Sequence, residues 1–206
     1  ATAVSDSGIG IIRMSGGDAV EIADRVYRSK QNRKRLSSVR SHTIHYGYIY
    51  DGDLLVDEVM VAVMRAPNTY TKEDVVEIDC HGGILVMNQI LEVVLRNGCR
   101  LAEPGEFTKR AFLNGRIDLS KAEAVMDIIH SKNEFALRSS VKQLSGAVSD
   151  KVRSLRGDIL HEIAFIESAL DDPEHISLDG YTERLREKTE KIQSELGRLI
   201  ASSILW

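Results

Sequence analysis

Ten apolar side chains, Leu137, Val141, Leu144, Val148, Val152, Leu155, Ile159, Ile163, Ile166 and Leu170, recur with the spacing of a single helix face. Nine steps cover 33 residues, a period of about 3.67, close to the eleven-residue repeat of nearly straight packed helices. The stripe predicts one long helix over about 133–170, roughly 57 Å at ~1.5 Å per residue. A helix of that length outreaches a small domain and needs apolar partners along its whole extent. Pro173 ends it, and Leu185, Ile192, Leu196 and Leu199 mark a second helix from about Asp179. Upstream, Ser120-Lys-Ala-Glu123 reads as a capping box, in which hydroxyl and carboxylate satisfy the orphan amides of a helix start. This part of the chain is expected to be all-α, built of long antiparallel helices that await further helices.

The residues before position 119 follow a different rule. Eleven of the 15 glycines and two of the three prolines lie there, while charge is nearly balanced on both sides. Strands are expected at 8–14, 42–50, 56–64, 74–80 and 99–102, with Asp51-Gly52-Asp53 as a hairpin turn. In the second strand Ile44, Tyr46, Tyr48 and Tyr50 share one face. Helices are expected at 18–28 and at 84–97, the latter closed by Gly98. Several strands with few helices suggest α+β, with a mixed, mostly antiparallel sheet rather than a doubly wound one. The expected division is a first domain at 1–118 and a helical domain at 119–206.

Composition narrows the classes. The chain has 206 residues, 43% apolar and 28% charged, with net charge −4. That excludes a low-hydrophobicity disordered chain and a collagen-like repeat. The longest aliphatic run, Val59 to Met64, is far short of a membrane span, so no membrane association is expected. No basic segment followed by an apolar one opens the sequence, so no secretory signal is expected. Cys80 and Cys99 cannot make a disulfide framework; reduced buried thiols and a cytoplasmic location are expected. Mild acidity argues against indiscriminate coating of nucleic acid.

Several motifs dissolve on inspection. Gly8-Ile-Gly-Ile-Ile-Arg13 precedes a strand instead of following one, and Arg13 occupies the third glycine position of a dinucleotide fingerprint. No glycine is followed by lysine, so there is no Walker A loop, and no G-x-S-x-G elbow occurs. Cys80 and His81 fall on opposite strand faces, and His42, His45, His130, His161 and His175 show no metal-ligand spacing with them. The pair Gly82-Gly83 suggests a tight strand-to-helix turn with close backbone approach, to packing neighbours or to a ligand. Arg25, Arg28, Lys30, Arg33, Lys34, Arg35 and Arg40 form a basic run without an acid, either a solvated surface or a phosphate-contacting patch.

Two charged residues stand out inside apolar strands. Alternation in Asp74–Cys80 places Glu77 with Val75 and Asp79 on one face and Val76, Ile78 and Cys80 on the other. Glu77 is either on a solvated face or reads a ligand. Arg13 poses the same question, because an unpaired buried guanidinium is very costly.

The stretches Gly8–Gly16, Ala66–Glu77, Cys80–Gly83, Ala102–Leu119 and Lys121–Val125 resemble the MnmE/TrmE family of tRNA-modification GTPases, with similarity from about Gly8 to Ser202. The resemblance implies an N-terminal α+β domain that binds a tetrahydrofolate derivative (the 5-formyl or methylene form) and forms a homodimer. It implies a helical domain interrupted by an inserted Ras-like G domain, where GTP, Mg²⁺ and K⁺ would bind. It further implies a flavin-dependent partner protein, with which the family adds an aminomethyl-type group to the wobble uridine of tRNA. The folate contacts would fall on Arg13, Glu77 and Arg116. A carboxylate such as Glu77 can accept from the donor edge of a pterin, and the arginines can pair with ligand oxygens.

The sequence departs from the family pattern in places. Val4-Ser5-Asp6-Ser7 replaces a Pro-Gly-Arg-Gly type segment, and Arg116 stands where relatives often carry lysine. The chain stops at Ser203-Ile-Leu-Trp206, where the family enters its G domain, so a trimmed fragment without GTP hydrolysis of its own is expected. Three other readings remain open at this level. They are a dimerisation scaffold without folate binding, a stand-alone one-carbon transferase with His81 as base, and direct tRNA binding by the basic run.

Overall fold

The computed structural model describes Thr2, residues 7–30 and residues 34–204, with side chains described to Ala201. Val4, Ser5, Asp6, Arg33, Leu205 and Trp206 therefore lie outside the described residues, as does the side chain of Ile204. The chain divides into two units, Ala1–Ile117 and Asp118–Trp206.

The first unit is a five-stranded antiparallel sheet in the order β1-β5-β4-β3-β2, which bears out the α+β expectation. Its strands are β1 (Ser7–Ser15), β2 (Tyr27–Ser29), β3 (Thr43–Asp51), β4 (Leu54–Met64) and β5 (Val75–Gly82). Alternation decides the inner face: Ile12 and Met14, Val76 and Ile78, Val59, Val61 and Val63, and Ile49 are all buried. Helices α1 (Ala19–Val26) and α2 (Ile84–Arg96) cover that face with Val20, Ala23, Ile90, Val93 and Val94. A third helix, α3 (Glu106–Leu113), follows Gly105, whose φ of +75° suits glycine.

Two expectations fail here. The first helix ends at Val26, because residues 27–29 turn extended and pair with β3 as an edge strand. Tyr27 lies over Gly47, where any Cβ would sit 2.5 Å from its ring, and its hydroxyl donates to the Tyr46 carbonyl at 2.8 Å. Residues 99–102 form no strand. Cys99 packs instead against Met14, and the Arg100 guanidinium is drawn to Glu106.

The tyrosine face of β3 is the outer one. Ile44 and Tyr46 are 66% and 48% exposed, and Met60 of β4, opposite Tyr46, is 43% exposed.

The second unit is helical, with α4 (Leu119–His130), α5 (Glu134–Leu144), α6 (Ala147–Asp171) and α7 (Tyr181–Ile204). The single long helix is corrected to two, α5 and α6, broken at Ser145-Gly146. Gly146 adopts φ +99°, and a Cβ there would meet Lys121 Cε at 3.0 Å. At ~1.5 Å per residue, the 25 residues of α6 span roughly 37 Å rather than 57 Å. The capping box is also corrected: Asp118 is the cap, accepting from the Lys121 amide at 2.9 Å and from the Ser149 hydroxyl. The Ser120 hydroxyl is buried without a partner among the described residues. The helix begins two positions earlier than the box requires, so Asp118 holds the cap position and Ser120 lies inside the first turn.

Helices α6 and α7 run antiparallel, as expected. Glu162, itself buried, takes the Tyr181 hydroxyl at 2.8 Å and the Lys188 ammonium, while Lys151 pairs with Glu195 at 2.6 Å. Within this unit much of the predicted apolar stripe remains exposed, including Val141, Val152, Ile163 and Leu170.

Candidate functional site

The two charged residues singled out inside strands meet. Arg13 of β1 stands opposite Glu77 of β5 in the antiparallel register, and its Nε donates to Glu77 Oε1 at 2.5 Å. Both are half-buried on the outer face, so the pair solves the cost of either charge alone. The Arg13 guanidinium also lies 5.7 Å from the Phe107 ring centroid, supplied by the first turn of α3.

Asp79 follows Glu77 on the same face, between Ile11 of β1 and Met60 of β4. Its Oδ1 is buried and has no hydrogen-bond partner among the described residues. Burial, and then the neighbouring Glu77 charge, push its carboxyl above the usual range. An acceptor in this state is poised for a donor that the described residues do not provide.

His81 ends the same row. Its amide and its Nδ1 both engage Asp57, at 2.9 and 2.7 Å, and the carboxylate raises the imidazole pKa. Cys80 faces the opposite way, its thiol directed at the Gly10 carbonyl and pushed up to about 11, mainly by burial. Gly82 is needed for close packing, since a Cβ would collide with the backbone of Ser7, whereas Gly83 has open space around it. Among the described residues no group of three or more His, Cys, Asp or Glu side chains is placed to hold a metal ion.

Arg116 lies 4.8 Å from the Tyr70 ring centroid. The first turn of α3 links the two arginines' aromatic supports: Phe107 lies against Arg13, and the next residue, Thr108, bonds the Tyr70 hydroxyl at 3.0 Å. A cavity of about 560 Å³ opens beside β1, between α2 and α3, lined by Arg13, Met14, Met87, Leu91, Phe107 and Arg110. Sequence reasoning missed Tyr70, Phe107 and the ionic residues around them; the Glu106/Arg110 pair, four apart on α3, was the available signal.

An ionic network braces this region. Glu106, buried at the start of α3, accepts from Arg100, from the Glu103 amide at 2.9 Å and from Arg110. The Arg100 hydrogen bonds, then that amide and Arg110, hold its carboxyl far below the usual carboxylate range.

Three members of the basic run are engaged locally. Arg25 binds the Asn97 carbonyl at 2.8 Å, Arg28 binds the Gly52 carbonyl and lies over Tyr50, and Lys30 lies over Tyr46.

Fold and face together define a class: an α+β sheet domain with an acidic, arginine-paired outer surface, followed in sequence by a helical unit. Residues 1–116 match the family described as GTP-binding protein TrmE N-terminus, and residues 119–204 match the MnmE helical domain. The chain belongs to the MnmE/TrmE family. A protein named tRNA modification GTPase MnmE from Lachnoclostridium phytofermentans is 56% identical over 203 residues, covering 98% of this chain and 44% of that protein. Proteins of the same name from Bacillus pumilus and Bacillus subtilis are 52% and 50% identical over 205 residues, with the same coverage. The chain thus spans a little under half the length of the curated relatives it matches. No described helix is long and apolar enough to cross a membrane.

Proposed function

We propose that residues 1–118 bind a tetrahydrofolate derivative and dimerise, and that 119–206 are part of a helical domain. In the whole protein these serve a GTP-hydrolysing tRNA-modification enzyme. The observation that carries the folate reading is the acidic row on β5. Glu77 is oriented by Arg13, and beside it Asp79 Oδ1 is a buried acceptor without a donor among the described residues. A pterin edge is rich in N–H donors and suits such acceptors, while Arg13 and Arg116, each laid on an aromatic ring, suit the ligand's carbonyl or carboxylate oxygens. Glu77, Arg13 and Arg116 would hold the folate, which supplies a one-carbon unit when bound.

The homodimer reading is supported by the exposed outer face around Ile44, Tyr46 and Met60, an apolar patch of the kind that marks association surfaces. The remaining parts of the reading rest on family membership. They are a flavin-dependent partner, tRNA as substrate, an aminomethyl-type product at the wobble uridine, a separate G domain holding GTP, Mg²⁺ and K⁺, and a cytoplasmic setting. Calorimetry with 5-formyltetrahydrofolate tests the site. Micromolar or tighter binding that is lost in Glu77→Ala is expected. A folded dimer that ignores folate refutes the reading and leaves a dimerisation scaffold.

A further inference from the structure

We propose that Arg110 is the positioning residue of the candidate folate site, an inference that rests on the functional reading above. Its guanidinium is shared between carboxylates from two different elements. Nε and Nη2 donate to Glu106 Oε1 at 3.0 and 2.8 Å, and Nη1 reaches both oxygens of Glu73 at 3.0 Å. Glu106 opens α3, whereas Glu73 belongs to the loop between β4 and β5 and also accepts from Ser15 of β1 at 2.7 Å. One side chain therefore ties α3 to that loop and, through it, to the strand that carries Arg13.

What it ties together are the two aromatic supports. Phe107, next to Glu106, lies against Arg13, and Tyr70, three residues before Glu73, lies against Arg116. Secondary bonds follow the same seam: Tyr70 to Thr108 at 3.0 Å, the Asn114 amide to the Thr71 carbonyl at 2.6 Å, and Lys72 to the Gly115 carbonyl at 3.2 Å. Arg100 neutralises Glu106 only, so without Arg110 the Glu73 carboxylate loses its ion-pair partner on α3. A planar guanidinium holds both carboxylates at fixed angles, which a lysine ammonium cannot reproduce. The ligand then meets Arg13 and Arg116 at a spacing set by Arg110, which itself need not touch the ligand.

The test is calorimetry of the full chain with 5-formyltetrahydrofolate, together with the ligand's ultraviolet difference spectrum at saturation. Arg110→Lys is expected to weaken binding at least about tenfold, the usual consequence of a loosened supporting shell. It is also expected to alter the bound spectrum, which a residue needed only for folding leaves unchanged. Glu73→Gln retains an acceptor and is expected to weaken binding less. A folded Arg110→Lys chain with unaltered affinity and spectrum overturns the proposal. Should Arg110→Lys fail to fold, unaltered affinity and spectrum in Glu73→Gln overturn it. If the unsubstituted chain binds no folate, the functional reading fails separately. The positioning claim is then decided by the Phe107 and Tyr70 ring resonances in Glu73→Gln: a joint shift with an unchanged sheet upholds it, and unmoved resonances overturn it.

Discussion

Gly47→Ala probes how the edge strand is held. Gly47 of β3 sits opposite Ser29 of β2, and a Cβ at this position would lie 2.5 Å from Tyr27 Cε2, 2.6 Å from Cζ and 2.6 Å from the Arg28 carbonyl. A buried ring and a strand backbone are the obstacles, and neither can swing aside as a flexible side chain can. Overpacking of this kind costs about 1–3 kcal/mol. Moving the ring also strains the Tyr27 hydroxyl bond to the Tyr46 carbonyl, worth about 1 kcal/mol. The expected total is about 2–4 kcal/mol, read as a lowered urea midpoint at constant slope. In a Tyr27→Ala background the ring is gone while the Arg28 carbonyl remains in the way, so the added cost should fall to about 1–2 kcal/mol. A Gly47→Ala cost below about 0.5 kcal/mol, or equal costs in both backgrounds, refutes the argument. Gly10→Ala is the control: its Cβ would meet the side chain of Met87, with Sδ at 2.5 Å, and a pliable thioether should limit the loss to about 1 kcal/mol.

Three further outcomes can be measured. Asp118→Ala should cost about 1–2 kcal/mol in denaturant melts, as loss of a helix cap does, whereas Ser120→Ala should be neutral or stabilising because its hydroxyl is buried without a partner among the described residues. Gly146→Ala should destabilise by about 1 kcal/mol or more, since φ +99° is unfavourable for an L side chain, and far-ultraviolet dichroism should show no gain in helix. The His81–Asp57 pair raises the imidazole pKa, so its stabilisation is fully present below the unfolded value of about 6.5 and fades as pH rises through the higher folded value. The melting-temperature gap between the unsubstituted chain and His81→Asn should therefore be widest in mild acid and close in alkali; a gap independent of pH removes the pair from the account.

The sheet was legible because alternation is a strong signal wherever one face is buried. Val76, Ile78 and Cys80 point inward as their positions require, and Glu77 and Asp79 outward. The edge strand at Tyr27 was hidden, since its residues continue the helix pattern of α1 and only the vacancy above Gly47 draws them out. The break at Gly146 was hidden for the opposite reason: Leu144 and Val148 keep the helical interval across a joint that is not helical. Within the site, Arg13 and Glu77 betrayed themselves as charges in apolar strands. Arg116 entered through family resemblance alone. Arg110 was legible only through its i,i+4 spacing from Glu106, because the other half of its meaning lies in Glu73, 37 positions away on another element.

The sheet order has a temporal consequence. Among the described residues, the strand nearest the N-terminus pairs with the last strand and with no other, so Arg13 finds Glu77 across 64 positions of chain. The β3–β4 hairpin can close locally, but β1 has no sheet partner until β5 is available, and closing so long a loop is a slow step. During synthesis the first strand therefore waits for the fifth to be made. The arginine–glutamate pair cannot exist in any shorter nascent chain, which makes its formation a marker that β1 has joined β5.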